Sequence, residues 1–150
     1  MAEGGRAGYR RANSCGCPPT PPVTGSGAVL AWGAGTVASS SATRHLHPWY
    51  DDTIAETDEV GFRVPRAGTI RNLHLRHQTP AGNGGTITYT LLVNGVASSV
   101  TVGLASTGTN AADVANSVMV SAGDFVSIRV TKAASIAASP RNITATAELI

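Results

Sequence analysis

Charge is what this 150-residue chain has least of: charged residues make up 13% of it, about half of the ~25% usual in soluble domains. What charge there is nearly cancels, at a formal +2, and all but one of the eleven basic residues are arginines scattered along the chain. That scatter excludes the basic stripe expected of a direct nucleic-acid binder. Aromatic residues reach only 5%, which leaves a thin supply for a stacking platform. No apolar run approaches the ~18 residues of a membrane span. The amino-terminal residues lack the charged, apolar, small-residue order of an export signal, so the expectation is synthesis in the cytoplasm without membrane contact. Cysteine is limited to Cys15 and Cys17. With no histidine nearby in sequence, two thiolates fall short of a zinc site, and their spacing strains an internal disulfide. Free thiols or bridges between chains remain.

In place of charge the chain has Gly, Ala, Ser, Thr and Val, ordered with a period of two. The organising stretch is residues 86–104, TITYTLLVNGVASSVTVGL, where Asn94-Gly95 supplies the two positive-φ positions of a two-residue type I′ turn. Counting outward from that turn pairs Val93 with Val96, Leu91 with Ser98, Tyr89 with Val100 and Ile87 with Val102. The opposite face carries Thr88, Thr90, Leu92, Ala97, Ser99 and Thr101. A hairpin with one dry face needs a second sheet over it, which predicts a sandwich or jelly roll.

Along the rest of the chain the same reasoning predicts strands over 28–32, 44–50 (cut short by Pro48), 60–64, 68–77, 116–120, 125–131 and 142–150. Residues 33–42 read as a loop or a weakly paired edge, 105–112 as a loop, and Gly123-Asp124 as a tight turn. The count is eight or nine strands with no convincing helix. Residues 1–27 are rich in Gly, Pro, Ser and Thr and cannot build a core. They read as a disordered tail or, where contacts outside their own domain hold them, as an extended arm, ahead of a β domain at 28–150. Arg6, Arg10 and Arg11 are its charged contacts, Tyr9 and Val23 its apolar anchors, and Cys15 and Cys17 its thiols.

Chemistry is sparse. His45 and His47, two apart on a strand, share a side and with Asp51 are the candidate metal ligands. The pattern is similar to half of a cupin metal motif, but Ser39 stands where that motif has glycine, and residues 80–85 carry no second histidine. The acidic residues Asp51, Asp52, Glu56, Asp58 and Glu59 lack calcium-loop spacing and read as a solvated loop or one facing a neighbour's arginine. His74 and His77 point to opposite faces and read as surface or interface residues. No serine sits in a G-x-S-x-G elbow. No catalytic residue and no cofactor is assigned.

Two segments carry a resemblance. Residues 61–70, GFRVPRAGTI, and 117–128, SVMVSAGDFVSI, resemble the strand–proline–glycine–strand passage and the late Gly-Asp hairpin of tumour-necrosis-factor-like and complement-globular-head jelly rolls. With the hairpin between them the likeness covers roughly residues 61–131. Sequences of similar flavour occur in phage decoration or fibre proteins and in the terminal domains of bacterial spore-surface collagen-like proteins. The resemblance implies an all-β jelly-roll sandwich, a homotrimer and a structural role. This chain has neither the Gly-X-Y repeat of the spore-surface type nor a visible export signal, which favours a virion component. The expectation is therefore a non-enzymatic phage capsid decoration protein, made in the host cytoplasm and held by subunit and lattice contacts. The alternatives are a carbohydrate-binding or spore-surface module, using Trp32, Trp49 and Tyr50, and a metal-dependent cupin-like enzyme.

Overall fold

The computed structural model describes residues 27–37, 43–82, 84–136 and 138–150. They form nine strands: β1 (Ala28–Thr36), β2 (Arg44–Pro48), β3 (Phe62–Arg63), β4 (Gly68–Thr79), β5 (Thr86–Val93), β6 (Val96–Ala105), β7 (Asn110–Val120), β8 (Phe125–Lys132) and β9 (Arg141–Leu149). Every pairing between them is antiparallel, and no helix occurs among the described residues. The fold is all-β and jelly-roll-like, as the alternation in the sequence predicts.

One layer runs β2-β1-β9-β4-β7 and the other β6-β5-β8, with β3 also on β8. The short strand β2 makes the corner, since Arg44, His45 and Leu46 pair with β8 while His47 and Pro48 pair with β1. The inward sets follow the period of two. Leu73 and Leu75 come from β4; Ile87, Tyr89 and Leu91 from β5; Val126, Ile128 and Val130 from β8; Ile143, Ala145, Ala147 and Leu149 from β9. All are buried. Each large aliphatic side chain so placed contributes roughly 1.5–3 kcal/mol, and this core is what holds the layers together.

The turn lies where the sequence places it, with Asn94 at φ 50 and Gly95 at φ 79. The hairpin register agrees near the turn, at Val93 with Val96, and departs further out, where Tyr89 pairs with Val102 and Ile87 with Leu104. An irregularity between Thr90 and Leu92 inserts two residues into β6. Two is even, so the inward face is kept, and Val100, Val102 and Leu104 still point into the core.

Parts of the two stretches flanking the predicted strands are themselves strand, residues 33–36 of the one read as a loop or weakly paired edge and residues 110–112 of the one read as a loop. β1 continues through Gly33 to Thr36, because the glycines permit a close approach. A Cβ on Gly33 would lie 2.7 Å from the Tyr50 ring and 2.8 Å from the Ile143 carbonyl oxygen. β7 begins at Asn110, six residues before the predicted start, since a bulge hides its alternation: Arg71 pairs with Ser117 and Leu73 with Asp113, leaving Asn72 alone opposite residues 114–116. Asn72 takes φ 54 there, and its side-chain amide donates to Glu148 Oε2 at 2.9 Å.

The outermost strands β6 and β7 meet through side chains. Asp113 Oδ2 accepts the Thr101 N–H at 3.0 Å, and Ser99 Oγ donates to the Ser117 carbonyl at 3.1 Å.

Candidate functional site

The turn residues picked out in the sequence, Asn94, Gly95, Gly123 and Asp124, form one assembly. The Asn94 side chain donates to Asp124 Oδ1 and accepts the Phe125 N–H, each at 2.9 Å, while Asp124 Oδ2 accepts the Ser121 N–H at 2.7 Å. The bonds it receives from Ser121 and then from Asn94 hold the Asp124 carboxyl below the ordinary aspartate value. The Arg63 guanidinium adds a 2.8 Å bond to the Gly123 carbonyl. Two hairpins distant in sequence are thus tied at one end of the sandwich.

The metal candidates sit near one another without closing a site. Leu46 enters the core, so His45 and His47 lie on the other side of β2, beside the acidic segment. His47 is 4.0 Å from Asp51 Oδ2 and 3.9 Å from Glu56 Oε1, and its Nε2 is 3.2 Å from the Thr53 hydroxyl. His45 is buried with its Nδ1 unpartnered; burial lowers its pKa, with Glu59 and Asp58 opposing and Arg129 assisting. Among the described residues no group of three or more His, Cys, Asp or Glu is arranged to hold a metal ion.

The acidic segment is the exposed loop expected of it, with Asp51, Asp52, Glu56, Asp58 and Glu59 all open to solvent, and its backbone is anchored as well. The Glu56 backbone exchanges hydrogen bonds with that of His45, and the Ala55 N–H donates to the Thr36 carbonyl, so this stretch fills the wedge where β1 and β2 diverge. Glu59 Oε1 accepts Ser127 Oγ at 2.7 Å and fastens the segment to β8.

Of the three aromatics considered for a sugar platform, Trp32 is 1% exposed and stacks on Phe62 inside the sandwich, with centroids 5.1 Å apart. It cannot serve a ligand. Trp49 and Tyr50 are 68% and 47% exposed. Trp49 also has φ 64, a conformation that costs a bulky residue on the order of 1–3 kcal/mol. Its N–H holds the Ala31 carbonyl at 2.8 Å. Beyond Pro48, β2 no longer bridges the layers, and the seam opens into a groove of about 340 Å³ lined by Ala28, Val29, Leu30, Trp49, Phe62, Arg63 and Pro65.

Sequence reasoning places His77 at the surface or an interface, and the structure buries it within the core: it continues the inward series of Leu73 and Leu75, and its Nε2 is 2.6 Å from the Tyr89 hydroxyl. Burial lowers its pKa to about 4 and raises that of Tyr89. Lys132 likewise extends the series of Val126, Ile128 and Val130; its Nζ donates to the Ala138 carbonyl at 3.3 Å, and burial lowers its pKa. Extending each alternation by one step would have found both.

The arm residues Arg6, Tyr9, Arg10, Arg11, Cys15, Cys17 and Val23 lie outside the described residues. Among those described, no helix is long and apolar enough to cross a membrane. No protein-family model matches the chain, and no curated protein matches it.

Proposed function

We propose that this chain is a non-enzymatic structural protein of the virion surface, a capsid decoration protein acting as a homotrimer through subunit and lattice contacts. The observation that carries the reading is the surface of β6 and β7. These strands of 10 and 11 residues contain a single charged side chain, Asp113, which is buried and engaged between them. Outward they offer Ala97, Ser99, Thr101, Gly103 and Ala105 from β6, with Val114 (66% exposed) and Met119 (83% exposed) from β7. Small side chains let another surface come close, and exposed methionine is enriched where proteins meet. A lattice repeats such a weak contact many times, so avidity builds without any chemistry at the single site.

The test is the solution mass of the native chain followed by co-sedimentation with virus particles, repeated with Met119→Glu. A trimer that sediments with particles, and a variant that loses at least tenfold in particle binding while keeping its β-sheet circular dichroism, is the expected result. A monomer indifferent to particles and to the substitution refutes it. A carbohydrate-binding module is the second reading, favoured by the exposed pair Trp49 and Tyr50.

A further inference from the structure

We infer that the groove at the open seam is the docking site for this chain's own proline-rich segment, residues 18–23 (PPTPPV), which lie outside the described residues. The inference does not depend on the assembly reading. Two features of the groove select the occupant. Its lining is apolar apart from Arg63, whose guanidinium already donates to the Gly123 carbonyl at 2.8 Å. A sugar would find few polar groups there to orient it. Its wall is the indole of Trp49, 68% exposed and held at φ 64, and an aromatic wall is what a polyproline II segment packs on.

Prolines also solve a desolvation problem. An ordinary peptide in this groove would bury amide N–H groups that need acceptors, whereas Pro18, Pro19, Pro21 and Pro22 have none to bury. Their fixed φ means that little chain freedom is lost on docking.

Connectivity then decides in favour of the same chain. Ala28, Val29 and Leu30 line the groove, so the chain enters β1 at the groove itself. Residues 24–27 are Thr-Gly-Ser-Gly, a link about 13 Å long when extended and rich in the residues that reverse a chain. A reversal there lays residues 18–23 back along the first residues of β1, on the side that β9 does not occupy. So short a tether gives an effective concentration on the order of millimolar.

Acrylamide quenching of tryptophan fluorescence in the full chain tests this, because Trp32 is buried and Trp49 supplies the accessible signal. The native chain is compared with one in which Pro18, Pro19, Pro21 and Pro22 are each replaced by Ser, with circular dichroism confirming the same fold. The expected result is a quenching constant at least threefold higher in the variant. A synthetic peptide of residues 14–25 added in excess should restore protection, and its serine version should not. Native protection should be unchanged over a hundredfold dilution. Equal quenching of native and variant chains overturns the proposal. Protection lost on dilution overturns it in favour of a second copy's segment, and an indole open in the native chain but shielded by added oligosaccharide gives the groove to a sugar.

Discussion

Replacing Asp113 by Ala removes the acceptor that joins the two outermost strands. Its carboxylate takes the Thr101 N–H at 3.0 Å across the gap, the Ala115 and Asn116 N–H groups at 3.2 and 3.0 Å, and the Asn116 side-chain amide at 3.2 and 3.0 Å. A hydrogen bond to a charged group is worth about 1.5–3 kcal/mol. Ala115 and Asn116 are exposed, so water replaces much of what they lose, while the Thr101 amide faces β7. We expect a loss of about 2–4 kcal/mol, which in a chain of this size lowers Tm by about 4–16 °C. Asp113→Asn, which keeps one acceptor oxygen, should fall between the two. Burial acts to raise the Asp113 pKa, but the bonds from Asn116, Thr101 and Ala115 outweigh it and hold the value below that of an ordinary aspartate. Between the folded and unfolded values the unfolded chain binds the extra proton. The contribution is therefore complete above the unfolded value and is lost as pH falls through the folded one. Urea titrations of native chain and Asp113→Ala at pH 7 and at steps down to pH 2.5 should show the gap closing at the acid end. A gap under 0.5 kcal/mol at pH 7, or one that persists unchanged into acid, would refute the reasoning.

Gly95→Val should cost about 1–3 kcal/mol. Its added Cβ has room, with the nearest atom at 3.4 Å, so the φ of 79 alone is at fault; an unmoved urea midpoint would contradict this. His77 stays neutral in the fold down to about pH 4, whereas its ordinary value is 6.5. Stability should hold above pH 6.5 and fall by up to about 3 kcal/mol as pH drops toward 4. His77→Gln should flatten that part of the profile in a pH series of urea midpoints. The double change His45→Gln with His47→Gln should leave metal content and assembly unaltered, read by elemental analysis and solution mass; loss of a bound metal together with an activity would speak for the enzyme reading.

The parts of the fold legible in the sequence are those where one side chain in two is apolar without interruption. β8 and β9 show this at Val126, Ile128 and Val130, and at Ile143, Ala145, Ala147 and Leu149. The turns were equally plain, since φ values of 50 and 79 at Asn94 and Gly95 demand those residues. Where the period slips, the sequence misleads. Asn72 opposite residues 114–116 conceals half of β7, and the extra residues in β6 shift the far hairpin pairs. The surroundings of His45, His47 and Asp51 were local enough to place together, but the use of 53–56 as a wedge between β1 and β2 was not, since it rests on backbone bonds to Thr36 and His45. The groove was invisible for a different reason: it exists because β2 ends at Pro48, and a void leaves no residue of its own in the sequence.

The join between β6 and β7 depends on side chains, and that sets the order in which this molecule can come apart. Every other pair of neighbouring strands is zipped by backbone bonds and parts only with the core, whereas this join can gape while the rest stays shut. Gaping bares two strand edges at once, a momentary invitation for one copy to stitch itself to another. The bulge limits the danger, because it divides β7 into two straight runs, residues 110–113 and 117–120, of four residues each. That is shorter than the strand of about 5–6 residues typical of stable sheets. Two copies brought side by side would then touch face to face and release again, and a fibre would find no continuous template on which to grow.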